Sequence, residues 1–325
     1  MARSISDPLR GVLIALGLVI LASCGMPPRE DLPQVSPSTD WAKWPEGTVV
    51  GEVSAVDVDS HGHVFVLHRP GRDWAEPFPD APIPAAVVAM FDPTGKLLAQ
   101  WGEGQTSMPH GLTLAPDDTV LITDVQREQV LRFSHEGNLL EAFGERGVSG
   151  DDAGHFGRPT DAEETPRGIF VADGYSNNRV VRIAENWRWW GEKAGTDAGF
   201  HTPHSISAQN GRLIVADREY SRIKIYDENG RLHAIYPQAG PPYAAKYLPD
   251  GRMVVIQGRD KVGRDEAVLR LLGRDGKEQN AIDLSGDKGM MRGHDLAIGR
   301  DGTIYIADVL GRQVLTLPLA TLTKD

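Results

Sequence analysis

One unit recurs six times along this chain. Each copy opens with a few small or polar residues and an alternating apolar strand. A Gly, Asp or Asn turn follows, and then a second strand that ends in Ala-Asp, Thr-Asp or an equivalent pair. The openings are 53–58, 108–112, 158–161, 202–206, 242–244 and 292–296. The second strands are 64–69, 120–124, 169–173, 213–217, 253–257 and 303–308. Alternation with period two bounded by turn residues is a strand signal. Like positions of the copies 39 to 56 residues apart, with several strands each, predict an all-β, six-bladed β-propeller over residues 47–320. A single blade cannot bury both of its faces, so neighbours must stack around an axis. The other architecture with such a period, a stack of helical pairs, needs long helical apolar patterns that this sequence lacks.

The first strand of each blade lines the axis. Aligned at its start, the copies carry Ser54, His110, Thr160, His204, Tyr243 and His294. Histidine thus falls in every second blade, a third of a turn apart. Three imidazoles entering at one height from three directions would meet on the axis. That is a three-His metal site with an open fourth position, the arrangement of catalytic zinc. Iron or cobalt suits the same ligands. A lone histidine at such a place would read as a hydrogen-bonded core residue; three in register do not.

A second column lies just past the second strands and reads Arg69, Val125, Gly174, Arg218, Gly258 and Val309. Arg69 and Arg218 face each other across a six-blade ring. They suit a carboxylate substrate through bidentate bonds, or else rim ion pairs with Asp217 or Glu219. Tyr175, on the same loop level, is a candidate proton-transfer group or a rim aromatic. Val56 and Leu112 share one slot of the first strand, and Asp295 follows His294; two carbonyls and a carboxylate would suit calcium. His61, His63 and His135 fall in turns and read as solvated. His68 aligns with the strand-ending aspartates.

The amino terminus has a different character. Arg3 and Arg10 precede an apolar run at 11–21, which has the length of a signal-peptide core and is too short to span a bilayer. It ends in Leu21-Ala22-Ser23-Cys24, similar to a bacterial lipobox. That predicts a signal peptide at 1–23, lipid on Cys24, and a Pro-rich extended linker over 24–46. The chain would then be an exported cell-envelope lipoprotein on the periplasmic or extracellular face, a monomer held at the membrane by its lipid alone. With Cys24 the only cysteine, no internal disulfide or Cys-based zinc site can form. A net charge of −11 argues against nucleic-acid binding.

The turn phrases Asp-Pro-Thr-Gly-Lys-Leu from Asp92, His-Glu-Gly-Asn-Leu-Leu from His135 and Asp-Glu-Asn-Gly-Arg-Leu from Asp227 resemble NHL repeats. Taken in order, Met-Pro-His-Gly-Leu (108–112), Arg-Pro-Thr-Asp (158–161), Ala-Asp-Gly-Tyr-Ser-Asn-Asn-Arg (172–179), Thr-Pro-His-Ser-Ile (202–206), Ala-Asp-Arg-Glu (216–219) and Gly-His-Asp-Leu (293–296) resemble the peptidyl-α-hydroxyglycine α-amidating lyase family. The resemblance implies a six-bladed propeller with zinc on His110, His204 and His294. It implies calcium on the carbonyls of Val56 and Leu112 and the carboxylate of Asp295. It implies Tyr175 as the catalytic tyrosine and Arg69 and Arg218 as active-site arginines. The implied substrate is a small molecule or peptide with an α-hydroxyglycine-like end.

Two departures stand out. Arg292-Gly293 precede the third His-Asp where the family usually has Met-Pro, and Ser176 follows the tyrosine where animal members have cysteine. The family's copper monooxygenase half has no counterpart in these residues, so another source of substrate, or another carbinolamide such as a ureidoglycolate, is expected. Two readings compete with a lyase: a non-enzymatic NHL propeller serving as an envelope binding platform, and a calcium-dependent lactonase, against which the histidine column argues. Replacing Cys24 by Ser should shift the expressed chain from the membrane to the soluble fraction, read by fractionation and immunoblotting. Unchanged membrane retention would remove the lipid anchor.

Overall fold

The computed structural model describes residues 29–191, 195–285 and 291–323. Cys24 and the signal segment lie outside the described residues. Six antiparallel sheets form six blades, five of four strands and the last of three. Their innermost strands are β1 (Glu52–Val58), β5 (Pro109–Leu114), β9 (Asp161–Thr165), β13 (Pro203–Gln209), β17 (Pro242–Tyr247) and β21 (Gly293–Ile298). These touch one another in chain order, and β21 returns to β1, so the ring is closed. The predicted all-β six-bladed propeller is therefore the observed fold.

The core lies between blades. Phe65 and Leu67 of the first blade pack with Ile122 and Leu131 of the second, and Ile256 and Leu269 of the fifth with Ile306 and Leu315 of the sixth. The alternation read from the sequence supplies these faces, each buried Leu or Phe side chain being worth about 1.5–3 kcal/mol. The turn phrases behave as expected: Asp92 and Asp227 each accept amide bonds from residues two and four further on.

The stretch read as a free linker is partly built into the propeller. Ser38 exchanges both backbone hydrogen bonds with Thr316 on β23 (Gln313–Pro318), the outer edge of the three-stranded blade. Val35 donates to Asp283 of the fifth blade, and Lys43 to Gly95 of the first. Trp41 and Trp44 pack on Phe91 at 5.5 and 4.9 Å. Gly95 is required here: its φ is +80°, and a Cβ would sit 1.7 Å from the carbonyl oxygen of Trp41. An extended, Pro-rich chain is what an edge strand can accept, because Pro needs no donor on its outer side.

The strand-ending aspartates prove to be staples. Asp124, Asp173, Asp217 and Asp308 are buried, and each accepts a backbone N–H from the segment that enters its own blade. Their donors are Ser107, Gly157, His201 and Arg292. His68 fills the same place in the first blade, its Nδ1 accepting from Gly51 at 3.3 Å, and burial pulls its pKa down to about 4. Asp173 also pairs with the fully buried Arg179 at 2.8 Å. Asp173→Ala removes the carboxylate partner of that buried guanidinium and should cost about 3–5 kcal/mol in urea unfolding. A loss below about 1 kcal/mol would contradict the staple.

Candidate metal centre and its surroundings

The three column histidines converge. His110, His204 and His294 have ring centroids 4.7 to 4.9 Å apart, and a ligand atom of each lies within 4.8 Å of the others. Bulges aim them. The pairing of inner with second strand slips by one or more residues between Pro109 and Leu112, between Pro203 and Ser205, and between Gly293 and Asp295. A bulged residue leaves the ladder and turns its side chain, a common device beside functional sites.

Each Nδ1 is committed. His110 Nδ1 lies 2.7 Å from the Thr160 carbonyl, His204 Nδ1 2.8 Å from that of Tyr243, and His294 Nδ1 2.6 Å from that of Ser54. A carbonyl only accepts, so each Nδ1 carries the proton and each Nε2 keeps a free lone pair. These acceptors occupy the histidine position itself in the next blade round. Such outer-shell carbonyls fix the tautomer and orientation of a ligating imidazole. Burial, with Arg69 and Arg218 nearby, pulls His110 down to about 3. Burial likewise holds His204 and His294 well below the ordinary value. All three are therefore neutral, the form that binds a metal. The donor set fits a transition metal of the zinc type.

Tyr175 follows β10 (Gly168–Asp173) and reaches over this centre. Its hydroxyl lies 2.9 Å from His110 Nε2 and 3.3 Å from His204 Nε2, and Arg218 donates to it at 3.4 Å. Arg218 also lies over the Tyr175 and Tyr243 rings and pairs with Glu219 at 2.7 Å. Arg69 is 1% exposed and pairs with Glu52 at 2.7 Å, while its buried Nε has no partner. The structure thus brings Tyr175, Arg69 and Arg218 to one mouth beside the histidines. Each arginine has an ion-pair partner there, though for Arg69 it is Glu52, which the sequence did not suggest.

The connection 70–87, between β2 (Val64–Arg69) and β3 (Val88–Phe91), covers the mouth. Its Trp74 packs on His110 and Tyr175 with centroids 5.6 and 5.4 Å away, and the Arg69 guanidinium lies 5.1 Å from its ring. Nothing in the repeat pattern marks Trp74, since it belongs to one copy only. The length of that connection, with Trp74 and Phe78 inside it, is the one available signal.

Below the imidazoles lies an oxygen-rich layer. Asp295 Oδ2 accepts the Val56 amide at 3.1 Å, and in the opposite blade Asp161 Oδ2 accepts the Ile206 amide at 3.0 Å. Leu112 pairs with Ile122 on the second strand of its blade as Val56 pairs with Val66 on that of the first. A cavity of ≈ 10 Å³ separates this layer from the histidines. The charge of Lys246 acts on Asp57, Asp295, Glu163 and Asp161. Burial still raises three of those acids, Asp161 to about 6, Asp295 to about 7 and Glu163 to about 8. Lys246 thus supplies one positive charge among four carboxyl groups. The alignment singled out Asp295 and could have found the other four. Asp161 and Asp295 stand one position past the histidine column; Asp57, Glu163 and Lys246 stand three past it.

Fold and site together define a six-bladed β-propeller with a three-histidine centre on its axis. Among solved structures, a streptogramin B lyase matches with a TM-score of 0.56 at 13% identity, over 83% of this chain and 94% of that one. Virginiamycin B lyase from Staphylococcus aureus matches with a TM-score of 0.53 at 16% identity, over 84% and 96%. At that identity the likeness is one of fold. No protein-family model matches the chain.

Sequence relatives are more particular. A probable peptidyl-α-hydroxyglycine α-amidating lyase of Caenorhabditis elegans is 29% identical over 304 residues, covering 83% of each chain. Peptidyl-α-hydroxyglycine α-amidating lyase 1 of Drosophila melanogaster is 29% identical over 277 residues, covering 71% of this chain and 51% of its own. Peptidyl-glycine α-amidating monooxygenase B of Xenopus laevis is 29% identical over 304 residues, and the match takes in 34% of its length. The chain thus spans about a third of the frog relatives it matches. The family resemblance read from the motifs is borne out by relatives bearing that name.

Because the imidazole pKa values are depressed, protons compete for the metal only well below the ordinary histidine value of about 6.5. Bound metal should therefore persist down to pH 5, measured by metal analysis after gel filtration across a pH series. Release centred near pH 6.5 would show the imidazoles to be ordinary.

Proposed function

We propose that this chain is a zinc-dependent lyase that cleaves the C–N bond of a peptidyl-α-hydroxyglycine, or a similar carbinolamide, to an amide and glyoxylate. The observation that carries the reading is the meeting of the Tyr175 hydroxyl with the Nε2 atoms of His110 and His204, beside Arg218. A zinc ion on His110, His204 and His294 supplies Lewis acidity toward the substrate hydroxyl. Tyr175, acting as its phenolate, takes that hydroxyl proton. The C–O bond becomes a carbonyl, the C–N pair goes to nitrogen, and Tyr175 returns the proton there. The products are a primary amide and glyoxylate, so atoms and charge balance.

Arg218 faces the Tyr175 oxygen, so charge developing there meets a fixed cation. Arg69, with an unpartnered Nε, and Arg218 hold the substrate carboxylate. Trp74 excludes water from the closed site. The carbonyls of Val56 and Leu112 and the carboxylate of Asp295 would hold a calcium ion, which would steady the strands that carry the ligands. Lipid on Cys24 would hold the enzyme at a cell-envelope membrane, on its periplasmic or extracellular face.

The test is glyoxylate release from α-hydroxyhippurate, before and after chelation and zinc return. Activity should vanish and recover. Tyr175→Phe should keep about one zinc in the histidine centre and lose about 10²–10⁴-fold in kcat. Unchanged turnover in that variant would remove the tyrosine from the chemistry. An absence of glyoxylate from the zinc-loaded chain would redirect the search to other carbinolamides.

A further inference from the structure

A second cluster of ligand-type side chains lies at the far end of β1 from Ser54, away from the Tyr175 mouth. Asp59 opens the hairpin 59–63 of the first blade, and His135 sits in the hairpin 134–138 of the second. The sequence read these histidines as solvated. Instead, the fully buried side chain of Asp59 holds both. Its Oδ2 is 2.8 Å from His63 Nδ1 and 2.9 Å from His135 Nε2, and ligand atoms of all three residues lie within 4.8 Å of one another.

The geometry points to a second transition-metal site, of the zinc class, formed by Asp59, His63 and His135 and clamping the first blade to the second. Two imidazoles and one carboxylate are borderline ligands that suit zinc, nickel or copper(II). Two ring nitrogens now crowd a single oxygen, each lending it a proton. One divalent ion would take the place of both donated hydrogens, each ring passing to its other tautomer with the proton on His63 Nε2 and on His135 Nδ1. Tetrahedral zinc sets neighbouring ligand atoms about 3.3 Å apart, so the cluster opens by about 0.5 Å. Asp59 is positioned in advance: its Oδ1 accepts the amides of His61 and His63 at 2.8 and 2.7 Å. Ligating carboxylates are normally anchored in this way. His63 and His135 are 32% and 27% exposed, so the ion has an entry path and an open fourth position. His61, whose ring stacks on His63 at 6.0 Å, borders that position.

The test is zinc titration of the full chain, carrying no histidine tag and stripped of metal, by calorimetry. Two equivalents are expected. His204→Ala should keep one, and zinc should still raise its Tm. The double variant His63→Gln, His135→Gln should also keep one; the amides can still donate to Asp59 but leave no imidazole ligand. His135→Gln alone, the milder change, should lose the second equivalent as well. A single equivalent in the wild type, or two in the double variant, would overturn the site. None of these readings depends on lyase activity.

Discussion

The open inner edge of each first strand is the constraint on which the rest of this molecule depends. A propeller brings six such edges to one axis, and their N–H and C=O groups face a channel too narrow for bulk water. Buried backbone groups must be paired. Here much of the pairing runs from blade to blade through side chains. His110, His204 and His294 donate to carbonyls of the next blade, while Asp57, Asp161 and Asp295 accept its amides. The ring is therefore laced by the residues that make it chemically interesting. The hydrogen bond that closes the ring, from His294 Nδ1 to the Ser54 carbonyl, also sets the tautomer of that imidazole and leaves its Nε2 unprotonated.

This explains why so much was legible. The blades follow from strand alternation, and the histidine column from placing like positions side by side, because the ring symmetry carries sequence register directly into space. Tyr175, Arg69 and Arg218 arrive at one mouth for the same reason. What escaped has no periodic signature. Trp74 belongs to a connection that only the first copy has. Ser38 completes the last blade by backbone bonds, to which its side-chain type is nearly irrelevant. His63 and His135 lie in turns, and only the meeting of two neighbouring hairpins puts them on Asp59. Lys246, Asp57, Asp161 and Glu163 did lie in register with the Asp295 that was singled out; they were missed because the alignment was not read further along the first strands.

The channel is graded along its axis. At the top, neutral imidazoles lie near two guanidiniums. One layer down, carboxylates accept amides, and below that Lys246 answers some of the negative charge. Nitrogen donors and oxygen donors are thus kept on separate floors, with a small cavity lined by both between them. Ligand softness decides which ion such a floor can hold. The arginines also keep the upper floor neutral, since a protonated imidazole beside Arg69 and Arg218 would be both desolvated and repelled.

Glu52 ties this grading to the cover of the site. Its carboxylate pairs with Arg69 at 2.7 Å and also accepts the Trp74 amide at 3.1 Å. The guanidinium that faces the mouth and the indole that closes it therefore share one anchor. Arg72, two residues before Trp74, donates to the Ser107 carbonyl at the entrance to the second blade. The covering segment is thus held by the same strand entrances that carry His110. A change in what Arg69 binds must be felt by Trp74, because a carboxylate drawn toward one of its partners loses geometry at the other. Electrostatics at the floor of the mouth and access at its top are in this way one property of a single acidic side chain.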